Sequence, residues 1–397
     1  MKVSARASVP PFQVMSILDR VAELRAQGRD VISLCAGEPS GGAPREVRSR
    51  VAEPEAAGLG YTSALGIRPL REAIAEHYRR WYGLDVPAEA VAVTTGSSGA
   101  FLLTFLAAFD AGDVVVLARP GYPAYRNILT ALGCEVVEVD CGPDVGFQPT
   151  PALLDGVLAR HGRVAGLVVA SPANPTGTMI DRGRMTALAA WCTEHGVRLV
   201  SDEIYHGITY PADPAEPDAR GVCAWDVPGE GAVVVSSFSK YWGMTGWRLG
   251  WALLPEDLRG PVDALAGNVA LCPPAPAQAA ALGAFSSASY TENDERVAAL
   301  ARTRKVLLDE VPGLGWGPVA PADGAFYLYA GLGDRLGRHA SSVEWCADLL
   351  ETEGVAVVPG VDFDGAHGRD YVRLSFAAGS DAVEEAVRRI HRFQERG

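Results

Sequence analysis

The stretch 236-SSFSKYWGMTGWRLG-250 sets Lys240 and Arg248 eight residues apart in a segment otherwise small, apolar or aromatic. Upstream, 231-GAVVVSSFSK-240 reads as a buried strand. Lysine and arginine are seldom fully buried without a partner, so either both reach solvent or an anion and an electrophile sit beside them. A poorly hydrated lysine has a lowered pKa and becomes an amine nucleophile, the usual route to a Schiff base. Asp202, in 201-SDEIYHG-207, follows the apolar run 198-RLVS-201. Poorly solvated, its carboxylate needs a cationic partner or must lose its charge. The turn 95-TGSSGA-100 opens a helix, and its N–H groups, hydroxyls and helix dipole suit a phosphate, although Gly/Ser is also simply how helices begin. In 119-RPGYPAY-125, Tyr122 is either offered to a planar ligand or packed in its loop. In 171-SPANPTG-177, two X-Pro steps bracket Asn174, a fixed hydrogen-bonding group or a plain turn residue.

These residues need a frame. Seven short, nearly continuous apolar runs, 91–95, 114–118, 135–140, 166–171, 198–203, 232–237 and 249–254, alternate with helical patterns at 98–109, 123–133 and 181–196. Such runs fit strands covered on both faces, and the alternation predicts an α/β fold with a large, doubly wound, mainly parallel seven-stranded sheet. Beyond about residue 285 the rhythm becomes helix 290–311, strand 325–330, helix 342–354 and strands 355–360 and 371–377, the pattern of a smaller α+β unit. The expected division is a large domain over 46–285 and a small one from 1–45 and 286–397. The amphipathic stretch 14–28 is expected to pack with the C-terminal part. In open α/β sheets ligands lie outside the carboxyl ends of the strands, where five of the polar motifs above fall in register. An amine, a buried acid wanting a cation, a phosphate cradle and an aromatic ring together fit one cofactor, pyridoxal 5′-phosphate (PLP).

The set 61-YTSALGIRPLREAI-74, 171-SPANPTG-177, 201-SDEIY-205, 237-SFSK-240, 245-TGWRLG-250 and 373-RLSF-376 resembles the class I/II aminotransferases, PLP enzymes of fold type I, over nearly the whole chain. The resemblance implies a Schiff base between Lys240 and the cofactor, with Lys240 then shuttling the proton between substrate Cα and cofactor C4′. It implies that Asp202 pairs with the pyridinium nitrogen, that Asn174 and Tyr205 bond the phenolic oxygen, and that Tyr122 stacks on the ring. Gly96, Ser97, Ser98, Ser237 and Arg248 would hold the phosphate. Arg373 would take the substrate α-carboxylate as a guanidinium fork, helped by backbone at Gly37. Taken without the family, Arg373 reads as a surface arginine on a strand. Tyr61 would reach the phosphate in the neighbouring subunit, which implies a homodimer with shared active sites. Amino acids and 2-oxo acids are the implied substrates, in a ping-pong transfer.

Dicarboxylate-specific relatives supply a cation for the distal carboxylate. Here 267-GNVALCPP-274 contains none, and Ser98 stands where some relatives have lysine. The donor is therefore expected to be neutral or aromatic rather than aspartate, with Phe12 and Trp242 near the mouth and Arg68 as a cation that could swing in. A PLP-dependent C–S β-lyase on the same scaffold is the alternative. A DNA-binding regulator finds no room before the 37-GEP-39 motif. A serine hydrolase built on S-x-x-K lacks K-T-G.

The composition narrows the rest. Of 397 residues 48% are hydrophobic and 21% charged, and the net charge of −13 disfavours nucleic acid or an anionic membrane as partner. Seven scattered cysteines and seven histidines form no metal-ligand spacing. The N-terminus lacks an apolar signal core and no apolar run reaches the ~18 residues of a span, so a cytoplasmic enzyme is expected.

Overall fold

The computed structural model describes residues 1–396 except 36, 52–59 and 230. After the helix Gln13–Ala26 comes a two-residue strand, β1 (Ile32–Ser33). Seven strands then build the main sheet: β2 (Val91–Thr94), β3 (Val114–Arg119), β4 (Glu135–Asp140), β5 (Gly166–Ala170), β6 (Arg198–Asp202), β7 (Val233–Ser237) and β8 (Gly250–Leu253). Their order is β2-β8-β7-β6-β5-β3-β4. Only β8 runs against its neighbours, so the carboxyl ends of the other six share one edge. Alternate residues enter two cores. Val91, Val93, Leu167, Leu199 and Val234 face one, while Ala92, Val115, Val168, Val200 and Val235 face the other. With both faces apolar, period-two alternation disappears and the strands read as the continuous runs seen in the sequence.

The C-terminal part contributes β9 (Tyr327–Gly331), β10 (Val355–Ala356), β11 (Val358–Pro359) and β12 (Tyr371–Ser375), flanked by the helices Ser287–Leu314, Ser342–Glu353 and Ser380–Arg396. The run expected as one strand at 355–360 is split. β10 pairs in parallel with β1, whereas β11 pairs antiparallel with β12 in a three-stranded sheet. Val357 between them is the switch from one sheet to the other, and it is fully buried. The helix Gln13–Ala26 packs where expected, its Val21 and Leu24 buried with Tyr329, Leu350 and Val358. Among the described residues no helix is long and apolar enough to cross a membrane.

Candidate active site

A cavity of about 380 Å³ opens at the carboxyl edge of the main sheet and reaches β12 and the helix Gln13–Ala26. Lys240, Asp202, Tyr205, Tyr122, Asn174, Ser97, Ser98, Arg248, Gly37 and Arg373 all line it, as the sequence reading grouped them.

At the end of β2 the chain turns through Gly96 at φ +68° into the helix Gly96–Ala108. A Cβ there would stand 2.6 Å from Arg248 Nη2, so only glycine lets the guanidinium lie against this turn. No side chain caps the helix, and Ser97 and Ser98 of its first turn line the cavity together with Arg248. This is an anion cradle made of helix-end donors, two hydroxyls and a fixed cation. Arg248 itself holds φ +53° and donates from Nη1 to the Thr245 carbonyl at 2.9 Å. A left-handed arginine is a strained backbone, as functional sites often carry.

Asp202 closes β6 and is 4% exposed. One carboxylate oxygen accepts the Ile204 N–H at 3.1 Å and the other accepts the phenol of Tyr125. Burial pushes its carboxyl up to about 6, against the opposing pull of those two hydrogen bonds and of Lys240. A cation placed against it would remove that cost.

Lys240 follows β7 and donates to the Gly37 carbonyl. Burial, then the charge of Arg373, lowers its amine to about 8, although Asp202 and Glu38 pull it up. At pH 7 about a tenth of such amines are neutral, against under a thousandth for an ordinary lysine. Nζ lies 5.6 Å from the Tyr205 ring centre and 6.0 Å from that of Phe326.

Arg373, on β12, is 5% exposed rather than on the surface. It donates from Nη1 to Asn174 Oδ1 at 2.9 Å and from Nη2 to the Cys35 carbonyl at 3.0 Å, and its Nε has no partner. The guanidinium lies over the rings of Tyr327 and Phe363, 4.4 and 4.8 Å from their centres. Among the described residues no carboxylate pairs with it. A buried cation without an anion asks for one from the ligand.

Of the residues named from the sequence, Ser237, Trp242 and Arg68 lie away from the cavity. Ser237 is buried behind the cavity wall, its Oγ 3.0 Å from both the Leu249 carbonyl and Ser239 N, and it is Ser239 that faces the cavity. Tyr61, expected to act in the neighbouring subunit rather than its own, lies outside this cavity and is 85% exposed. Trp242 is not at the mouth. It is 2% exposed in an aromatic cluster with His77, Trp81 and Trp251, its indole N–H donating to the Ala284 carbonyl. Arg68 is engaged by Glu72 and Glu89 on the exposed face of its helix. Phe12 does line the cavity, stacked on Tyr122 with rings 8° from parallel.

The sequence reading passed over Tyr125, Tyr327, Ser239, Asp362 and the apolar side chains of the helix Gln13–Ala26. Tyr125 stands three residues after Tyr122, the N-cap of the helix Pro123–Leu132, and the two rings meet edge to face with centres 5.4 Å apart. The Tyr327 hydroxyl lies 2.9 Å from that of Tyr205.

This geometry has relatives. Residues 29–390 match the family model "Aminotransferase class I and II". The valine–pyruvate aminotransferase of Mycobacterium tuberculosis is 50% identical over 390 residues, covering 98% of this chain and 97% of that protein. The aspartate/prephenate aminotransferase of Thermus thermophilus is 34% identical over 388 residues, covering 97% and 96%. A crystal structure of a Mycobacterium tuberculosis aminotransferase superposes with a TM-score of 0.94 at 49% identity, covering all of both chains. The protein is a fold type I transferase of amino groups. The chain belongs to the class I and II aminotransferase family.

Proposed function

We propose that this aminotransferase binds PLP through the residues named above and moves the amino group of a neutral, aliphatic L-amino acid, valine foremost, to pyruvate. The residues fit the cofactor. The Gly96–Ser97–Ser98 turn and Arg248 would hold its phosphate, with Ser239 in the place first given to Ser237. Asp202, fixed by Tyr125, would face its ring nitrogen, Tyr122 and Ala170 would flank the ring, and Asn174 with Tyr205 would hold its phenolic oxygen. Bound there, PLP supplies an aldehyde carbon and an electron-withdrawing ring.

The protein's own groups do the rest. Lys240, with its lowered pKa, is the amine that would hold the cofactor's aldehyde carbon, and as a neutral amine it would take and return the proton at the substrate Cα. Asp202, ionised once a cation faces it, would favour the protonated form of a ring nitrogen placed there. Arg373 receives the α-carboxylate, orienting Cα toward Lys240, while its bond to Asn174 couples the two sites.

The observation that carries the reading is the convergence of Lys240, Asp202 and an unpaired Arg373 on one cavity. Support for the donor comes from the cavity's cations, Lys240, Arg248 and Arg373, each of which already has a role; among the described lining residues none remains for a distal carboxylate. The 50% identical relative is named for valine and pyruvate. We place the working unit as a homodimer in which the exposed Tyr61 ring of one subunit reaches the site of the other.

The test is an absorbance titration of the purified protein. A visible cofactor band bleached by valine and restored by pyruvate is expected. A protein that never retains PLP, or that releases ammonia from its donor without a keto-acid acceptor, would refute it.

A further inference from the structure

One wall of the cavity has no role in the scheme above. It is the first turns of the helix Gln13–Ala26, which set Phe12, Val14, Met15 and Leu18 toward the ligand space. The opposite side of that helix is fastened to the C-terminal part through Val21 and Leu24. Its N-terminus has no side-chain cap of its own. Asp362 does that work from 349 residues away, its two carboxylate oxygens accepting the N–H of Gln13 at 2.9 Å and of Val14 at 3.1 Å.

Asp362 is 7% exposed and itself lines the cavity. Among the described residues it enters no ion pair, so helix-end N–H groups alone balance its charge. Its neighbour Phe363 carries the ring over which the Arg373 guanidinium lies. Asp362 therefore stands on the side of the cavity where the donor's carboxylate is held and where its side chain must turn away. Asp202, the other acid lining the cavity, is bound to Tyr125 at the opposite, sheet-edge side.

Resting on the aminotransferase reading, we propose that Asp362 and the helix it fastens are the side-chain selector. Val14, Met15 and Leu18 accept an aliphatic group. The Asp362 carboxylate repels a second carboxylate, which would also lose its hydration with no cation to replace it. Discrimination then comes from a repulsive charge as well as from a missing cation.

The test compares half-reactions of the holoenzyme with L-valine, L-aspartate and L-asparagine, the last nearly isosteric with aspartate but neutral. In the wild type, valine exceeds asparagine and asparagine exceeds aspartate. Asp362→Asn keeps an oxygen for the helix and loses the charge. It is expected to raise kcat/KM for aspartate about ten-fold and for asparagine less than about two-fold, with valine slowed a few-fold by the weaker tether. Aspartate and asparagine rising together, which marks a loosened wall, or neither rising, overturns the proposal. Should Asp362→Asn fail to fold, Met15→Lys, at a 54% exposed position, sets a cation on the same wall. A ten-fold gain for aspartate over asparagine supports the assignment, and no gain overturns it. Failure of the donor reading is seen in the wild type alone, as aspartate faster than valine; failure of the Asp362 assignment is seen only in the variants.

Discussion

The floor of the cavity and its helical wall are built on opposite principles. The floor stands on strand ends. Asp202 and Lys240 leave β6 and β7, neighbours in the middle of the main sheet, with apolar cores on both faces. Their charges are poorly hydrated and their positions over-determined by Tyr125, Ile204 and the Gly37 carbonyl. The wall is a helix edge with Met15 54% and Leu18 36% exposed, fastened at its N-terminus by one carboxylate. Chemistry that moves protons needs fixed charges in a dry place, and a fixed charge in a dry place is costly. Choosing between side chains needs a shape and a sign.

The largest expected effect breaks the floor. Lys240→Ala should lower the half-reaction with valine about 10⁴-fold or more, by removing the group proposed to move the Cα proton. Stopped-flow absorbance after loading with PLP reads this directly. The wild-type amine carries a pH signature too. With its pKa lowered to about 8, Lys240 in cofactor-free enzyme gains its neutral form as pH rises and is mostly neutral above 8. The rate of PLP capture should climb with pH and level off near 8, where an ordinary lysine would keep climbing beyond 10.

Asp202→Asn follows, and it separates function from stability. Activity should fall about 10²- to 10³-fold with the loss of the anion proposed to face the ring nitrogen. Stability of the cofactor-free protein should move the other way. The folded carboxyl titrates near 6 instead of 3.8, so between those values the folded state binds more protons than the unfolded one. Stability therefore falls as pH rises through that window, and above it the cost is complete, on the order of 3 kcal/mol. Asparagine carries no such cost. Thermal melts without PLP should place the variant a few degrees above wild type at pH 8 and level with it at pH 4. Equal melting at both values would refute the buried-charge account.

Gly96→Ala tests the cradle between floor and wall. Its Cβ would collide with Arg248 at 2.6 Å and its φ of +68° is unfavourable for alanine. PLP retention should weaken about ten-fold, read as the dissociation constant from absorbance titration, with the fold intact.

The floor was legible in the sequence and the wall was not, for the same physical reason. Strands buried on both faces announce themselves as apolar runs, and a Lys, an Asp or a Gly/Ser turn at the end of such a run is conspicuous against it. Lys240, Asp202, Gly96 and Asn174 each stood at such a boundary. Ser237 closes β7 and Ser239 lies in the turn after it, and which of two alternate serines faces the cavity depends on a local twist that composition does not carry. Trp242 read as a mouth residue because an aromatic beside Lys240 is equally consistent with a ligand wall and with the cluster around His77 that it joins. The wall unites position 362 with positions 12–18. Nothing local marks Asp362 as the cap of a helix almost the whole chain away. The division of 355–360 between two sheets was hidden in the same way, since 355-VAVVPG-360 is the same string whether it pairs once or twice.

The smallest effect separates the two fastenings of the wall. On its exposed flank the helix Gln13–Ala26 is joined to Glu351 through Arg20, at 2.6 and 3.1 Å, and Glu351 also meets Arg29. Despite short distances, both partners are solvated, and such pairs contribute little because ordering two long side chains offsets a screened attraction. Arg20→Ala should leave the melting temperature nearly unchanged and raise KM for valine less than about two-fold, with kcat constant. The tether at Asp362 is buried and accepts helix-end N–H groups that would otherwise be orphaned, so disturbing it should cost several times more in KM. If Arg20→Ala instead raised KM as much as Asp362→Asn, the helix would be held mainly along its flank. Asp362 would then act on the donor's charge alone, and added salt should reproduce the Arg20 variant in the wild-type enzyme.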